Sequence, residues 1–198
     1  MEYANPGTLG GLGFGNKIFA AFFTAATSRT AGFNVIPTDA LTTPILLFLL
    51  LLMFIGASPA STGGGVKTTT FMLLLATVKT LVKGSDEVVL YERHVPNPLI
   101  LKALSVLFVS FSIIFIMIFT ISIVEHKPFL SLVFEVVSAF GTVGLSTGIT
   151  PDLGNPGKLL IIITMFVGRI GPLTLLFALA KRFNPGGVKY PEERILIG

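Results

Sequence analysis

The sequence predicts an all-α membrane protein built from repeated units of a short helix, a glycine turn and a long helix. Three observations predict this fold. The 198 residues are 52% hydrophobic and only 12% charged, with a mean hydropathy of +0.86, and an ordinary soluble domain has about twice that share of charge. Two apolar runs are long enough to cross a bilayer. The chain also matches itself at an offset of 112 residues.

The composition argues against several classes of protein. It argues against a typical soluble enzyme, a disordered chain and an acidic binding tail. The net charge of +4 comes from basic residues scattered at the ends of apolar runs, which argues against a nucleic-acid partner. There are no cysteines, and His94 and His126 lie far apart. Because no nucleophile–base set or metal cluster is visible, we predict that the protein is not an enzyme and uses no cofactor.

Two long runs, residues 99–124 and 159–180, each match the roughly 20 residues that ~30 Å of hydrocarbon requires. Lys102 interrupts the first early, and Arg169 interrupts the second. Both runs are therefore predicted to be membrane-spanning helices.

A third long helix is predicted to be broken in its middle. The apolar run 45–57 is too short to span, and a polar stretch, 58–70, separates it from a second short run, 71–82. Backbone freed by such a break is tolerated at membrane depth only in protein or beside water. Within the stretch, residues 63–68 look like a phosphate loop, but the apolar flanks argue against one.

Two shorter runs, 18–26 and 128–140, are predicted to be re-entrant or buried helices. Each is followed by a glycine turn, and the two halves align without gaps. The polar matches carry the most weight, because apolar coincidences are common. The aligned positions include Thr30 with Thr142, Gly32 with Gly144, Pro44 with Pro156, and 53–56 with 165–168.

The glycine turns have the chemistry of a cation filter. The second, residues 142–148, is similar to the loop whose carbonyls replace the hydration shell of K⁺ in channels. Glycine supplies the unusual backbone angles, and the carbonyl end of a short helix favours a cation. The alternative is that each turn merely caps a helix. The predicted ligands of the cation are the backbone carbonyls of Thr30, Ala31, Gly32, Phe33, Thr142, Val143, Gly144 and Leu145.

Basic residues predict the orientation. Eight lie on one side of the predicted spans and three on the other, so the first side is predicted to be cytoplasmic and the turns to open outwards. The eight are Lys79, Lys83, Arg93, Lys102, Lys181, Arg182, Lys189 and Arg194; the three are Lys17, Lys127 and Lys158.

Four segments together closely resemble the Trk/Ktr superfamily of K⁺ transporters, of the TrkH/KtrB-like membrane-subunit type: residues 27–34, 56–68, 141–148 and 168–172. That family folds as four helix–pore-loop–helix repeats around one pore. The resemblance implies that this chain is the C-terminal half, about one and a half of the four repeats. It divides the chain into a pore loop and broken long helix of repeat three (15–82), a cytoplasmic loop (83–97), the complete repeat four (98–182) and a cytoplasmic tail (183–198).

The resemblance also implies roles for residues and partners. The polar stretch matches an intramembrane loop that gates the pore, and Arg169 matches a basic residue that steadies this loop. The implied partners are a cytosolic nucleotide-binding regulatory subunit of the KtrA/TrkA type, a second copy of the full-length subunit and the lipid of the cell membrane, which the protein crosses several times. The gate residues are Ser58, Gly63, Gly64, Gly65, Lys67 and Arg169.

The expected function is therefore K⁺ uptake, with Na⁺ as an optional coupling ion. Three alternatives stay open: a transporter of another monovalent cation, a non-conducting scaffold or fragment of the same fold, and a polar stretch that is a fixed break rather than a gate.

Overall fold

A computed structural model describes residues 2–84, 87–90, 92–172 and 174. Its described part contains six α-helices and one short β-hairpin. The hairpin, inside the predicted loop 83–97, is the one departure from the expected all-α fold. The helices are α1 (Phe14–Thr27), α2 (Thr43–Phe54), α3 (Thr68–Val82), α4 (Asn97–Val124), α5 (Phe129–Gly141) and α6 (Asn155–Ile170); the antiparallel strands are β1 (Val89–Leu90) and β2 (Arg93–His94).

Among the described residues, α4 is the one helix long and apolar enough to cross a membrane. It begins just after Pro96, with a second proline in its first turn, where a missing N–H costs no helical bond. The hydroxyls of Ser105, Ser110 and Thr120 donate to the carbonyls four residues earlier. These side chains are therefore satisfied within the helix, and the sequence-predicted span 99–124 lies inside it.

The predicted break between two half-length helices is present, with both bounds three residues earlier than predicted. Helix α2 ends at Phe54 and α3 begins at Thr68, so the break comprises residues 55–67 and Thr68–Thr70 are helical. Its ends are tied by a parallel bridge, in which the amide of Gly56 donates to the Val66 carbonyl (2.9 Å) and that of Val66 to the Phe54 carbonyl (3.1 Å). Because the bridge satisfies these groups, the helix can resume two residues after Val66.

Helix α6 is shorter than the predicted run 159–180. It ends at Ile170, and Gly171 takes φ +88° and ψ 139°, a conformation outside the right-handed helical region. Pro172 follows and has no N–H to continue the ladder. The 16 residues of α6 extend about 24 Å, less than the bilayer core. Beyond Gly171, residues 172 and 174 of the run are again helical; residues 173 and 175–180 and the tail 183–198 lie outside the described residues.

Helix α5 lies at the centre of the fold, where it packs against α2, α4 and α6. Every residue from Leu132 to Gly141 except Val133 is buried. Leu132, Phe134 and Phe140 of α5 meet Met53 of α2 and Ile121 of α4 in one apolar core. The expectation of a short buried helix is confirmed for α5. In α1 only Ala20 and Thr27 are buried, so for this helix the re-entrant alternative stays a prediction.

Two buried carboxylates fix the starts of α2 and α6. Glu2 accepts the amide N–H of Thr42 (2.9 Å), and Glu125 accepts that of Gly154 (2.9 Å). The two amides are separated by the same 112 residues as the turns. A carboxylate at a helix N-terminus is favoured by the unpaired N–H groups and the helix dipole.

We expect Glu2 to make stability depend on pH. Burial raises the pKa of this carboxyl, but hydrogen bonds from Thr42, Thr8 and Asn5 outweigh it and lower the pKa from 4.5 to about 2. Because the folded-state pKa is depressed, its stabilisation is complete above pH 4.5 and is lost as the pH falls through about 2. The difference in melting temperature between wild type and Glu2→Gln should therefore be largest near pH 6 and shrink below pH 4.5. The exposed Asp39→Asn serves as control; a difference that does not change with pH would contradict the prediction.

Candidate functional site

The two glycine turns share an unusual backbone. Thr30 and Thr142 have φ values of 78° and 54°, and Gly32 and Gly144 have 74° and 89°. Each turn is then followed, again at an offset of 112, by a short 3-10 turn, Thr38–Ala40 and Thr150–Asp152. Sequence reasoning assigned the strained angles to glycine alone. The two threonines also adopt the left-handed region, which costs a non-glycine residue about 1–2 kcal/mol.

Capping and turn formation coincide in the second turn. Thr142 is the left-handed residue that ends α5, its amide donates to the Ala139 carbonyl (3.1 Å), and that of Val143 donates to Ser138 (2.9 Å). This is the Schellman arrangement of a helix end. The cap alternative is thus true of Thr142, but the chain continues into a second left-handed residue at Gly144, which a simple cap does not require.

The two turns meet backbone to backbone. A Cβ added to Gly32 would lie 2.7 Å from the Val143 carbonyl oxygen, and a Cβ added to Gly144 would lie 3.3 Å from the Gly32 Cα. Such distances leave no room for a side chain at Gly32. Residues 30–33 and 142–145, predicted separately from two parts of the chain, therefore lie side by side.

The break lies against both turns. The amide of Gly64 donates to the Thr142 hydroxyl (2.7 Å), and a Cβ on Gly63 would come within 2.9 Å of the Thr30 methyl carbon. Gly64 also faces the carbonyls of Phe140 and Gly168, at 2.6 and 3.0 Å from an added Cβ. Gly63 thus lies against Thr30 of the first turn, and Gly64 lies against Thr142 of the second.

Lys67 binds backbone carbonyls within the break. Its ammonium donates to the carbonyls of Gly63 (2.6 Å) and Ser61 (3.2 Å), and the Ser58 carbonyl accepts from the Ser61 hydroxyl (2.6 Å). The predicted residues Ser58, Gly63, Gly64, Gly65 and Lys67 therefore form one loop, whose tip at Ser58–Thr62 is exposed and whose base at Gly64–Val66 is buried.

Arg169 is exposed on α6 and borders two cavities. One, of about 500 Å³, also adjoins Thr142 and Gly144; the other, of about 480 Å³, adjoins the break from Ser61 to Lys67. The side chain thus lies where the second turn and the break both open to solvent. Its predicted role in steadying the break stays a prediction.

We expect Lys67→Met to loosen the break. Methionine keeps most of the length of the side chain but cannot donate to the Ser61 and Gly63 carbonyls. Amide hydrogen exchange in residues 58–65 should rise about tenfold, the factor that corresponds to about 1.4 kcal/mol. Lys17→Met, which likewise removes an ammonium that donates to a backbone carbonyl, here that of Tyr3 in the N-terminal segment, serves as control. Unchanged exchange would show that Lys67 does not hold the loop.

Sequence reasoning missed Glu135. This carboxylate is 5% exposed on α5 and accepts hydrogen bonds from Ser146, Thr147 and Thr150, just after the second turn. A single acidic residue within an otherwise apolar short run was the available signal.

Comparison with known proteins agrees with this architecture. A sequence model of the TrkH family, described as a cation transport protein, matches residues 6–186. The description of that model names the class of its members, cation transport proteins. Within this class, the chain belongs to the TrkH family, which confirms the resemblance found in the sequence.

Individual relatives share much of the sequence. The chain is 47% identical to Ktr system potassium uptake protein B of Bacillus subtilis over all 198 residues, which cover 44% of that protein. It is 42% identical, also over 198 residues, to Ktr system potassium uptake protein B of Vibrio alginolyticus, of which it covers 43%. It is 39% identical over 191 residues, or 93% of the chain, to potassium/sodium uptake protein NtpJ of Enterococcus hirae, of which the match covers 42%. The chain thus spans less than half the length of these relatives.

Proposed function

We propose that this chain forms part of a potassium-translocating membrane subunit, in which the two turns line the ion path with backbone carbonyls. The observation that carries this proposal is the contact of Gly32 with Val143 and Gly144. Each turn follows a short helix whose carbonyl end has partial negative charge, and a cation between closely spaced carbonyls exchanges water oxygens for protein oxygens.

The break is the proposed gate. It touches Thr30 and Thr142 of the two turns, it is tied at its base by the bridge between Ile55 and Val66, and its tip is exposed. A loop whose exposed tip joins a tied base through consecutive glycines can move without unfolding its flanking helices. Arg169 borders the same cavity, so its charge is suited to influence the position of the loop.

The partners follow from the same proposal. The hairpin of β1 and β2 lies in the basic loop that we assign to the cytoplasm, where a nucleotide-binding regulatory subunit would act on α3. The proposal also includes the pairing of two full-length subunits and the coupling of transport to Na⁺. It keeps the division of the chain into the four segments described above. The name of the Enterococcus hirae relative includes sodium, which favours another monovalent cation as the second candidate cargo.

Rubidium uptake by the full-length protein tests the proposal. Cells that lack potassium uptake should grow at limiting K⁺ when they express it, and Na⁺ should compete weakly with ⁸⁶Rb⁺ entry. Strong competition by Na⁺, with uptake of ²²Na⁺, would favour the second candidate. Correctly inserted protein with no flux of either ion would identify a non-conducting scaffold and refute both.

A further inference from the structure

Glu135 joins α5 to the segment that follows the second turn. Its Oε1 accepts from the Ser146 hydroxyl (2.6 Å), the Thr147 amide (3.0 Å) and the Thr147 hydroxyl (3.4 Å), and its Oε2 accepts from the Thr150 hydroxyl (2.7 Å). A second layer extends the network, because the Gly148 amide donates to the Ser146 oxygen (2.9 Å). One side chain thus holds residues 146–150 against the middle of α5.

The groups around Glu135 are suited to a carboxylate. All four groups that point at Glu135 can donate a hydrogen, and an ionised carboxylate accepts at both oxygens without donating. Bonds to a charged acceptor are about twice as strong as neutral ones. Burying the charge without such bonds would be costly. The network therefore orders residues 146–150 more firmly than the backbone alone would.

Within the described part of the chain, the first turn has no equivalent of this network. The position 112 residues before Glu135 is Phe23. There the hydroxyl of Thr27 instead accepts from the Phe33 amide (3.0 Å) and donates to the Phe33 carbonyl (2.8 Å). The corresponding residue in the second turn is Ala139, which offers no hydroxyl. The two turns, alike in backbone angles, are thus held by different chemistry.

We propose that Glu135 is a positioning residue that sets ion selectivity by fixing the carbonyls of the second turn from behind. The inference rests on the proposed function of the turns as the ion path. Leu145 separates Gly144 from the anchored Ser146, and its side chain is buried at 3% exposure. The Gly144 and Leu145 carbonyls are therefore held between the cap of α5 and the Glu135 network. Carbonyls that are held in place present a defined set of oxygens to each cation, and such a set can favour one cation over another.

Glu135→Gln in the full-length protein tests this inference. Glutamine has nearly the same shape, but its NH₂ group cannot accept a hydrogen bond. We expect the preference for Rb⁺ over Na⁺ to fall at least about tenfold, and exchange of the Thr147 amide to rise by about the same factor. Glu135→Asp keeps the charge with a shorter reach and should give a smaller loss. Thr27→Ala, the matched change at the first turn, should leave Thr147 exchange unchanged.

The outcomes separate this inference from the function on which it rests. Wild-type uptake with an unchanged ion preference in Glu135→Gln would overturn the role of Glu135 and leave the transport proposal intact. Wild-type protein without cation flux would refute the transport proposal itself. If Glu135→Gln does not accumulate in the membrane, Ser146→Ala and Thr150→Val test the same inference, because each removes one hydrogen-bond donor to Glu135. Wild-type ion preference in both of these variants would overturn the inference.

Discussion

Gly32→Ser and Gly144→Ser are expected to weaken selective cation uptake strongly. Serine at either position must adopt a left-handed φ, 74° or 89°, at a cost of about 1–2 kcal/mol. At Gly32 the added Cβ would also lie 2.7 Å from the Val143 carbonyl oxygen, so that carbonyl has to move. Since carbonyl positions determine the binding energy of the ion, we expect the preference for K⁺ over Na⁺ to fall by more than about tenfold, with the larger loss at Gly32.

Growth at limiting K⁺ and ⁸⁶Rb⁺ uptake in competition with Na⁺ measure this effect in the full-length protein. Gly11→Ser is the matched control, because a Cβ at Gly11 meets nothing within 4 Å. If both turn variants keep wild-type growth and wild-type ion preference, the two turns do not line the ion path. Their close contact then has a structural role only.

Uncoupling the break from the second turn is expected to have the next largest effect. The buried Gly64 amide donates to the Thr142 hydroxyl at 2.7 Å. Thr142→Val keeps the shape and removes the acceptor, and an unpaired buried N–H costs about 1–3 kcal/mol. If the bond holds the gate closed, resting flux should rise by about tenfold, the factor for about 1.4 kcal/mol, and depend less on the regulatory partner.

A matched change and a deletion sharpen this test. Thr30→Val alters the same position of the first turn, where the described contacts include no hydrogen bond from the Thr30 hydroxyl to the break, and should change flux less. Deletion of residues 61–65 removes Gly64 itself and the carbonyls that Lys67 binds. A gate predicts high flux that no longer responds to the partner. Misfolding, or unchanged flux in both Thr142→Val and the deletion, would identify a fixed break without a gating role.

The local elements of this protein could be predicted from its sequence because their causes are local. Long apolar runs predict α4, three adjacent glycines predict an interrupted helix near residue 63, and Thr-x-Gly after a half-length apolar run predicts a turn at the end of α1 and α5. The family could be recognised for the same reason, since its signatures are short and contiguous. The pair Gly171-Pro172 is a helix-ending signal in the sequence. The continuous hydropathy of residues 159–180 nevertheless led to the prediction of a longer helix.

Contacts between distant parts of the chain were decided by the tertiary structure. Intrinsic propensity disfavours the left-handed angles of Thr30 and Thr142. The packing of the surrounding structure stabilises them. The bond from Gly64 to Thr142 joins residues 78 apart, and Glu135 reaches residues 11 to 15 positions later. No periodicity encodes such pairs. They form because α5 is buried among α2, α4 and α6, where each polar group must find a partner. The sequence thus determined which segments are helices, breaks and turns, whereas only the packing around α5 decided that the two turns, the break and Glu135 form one site.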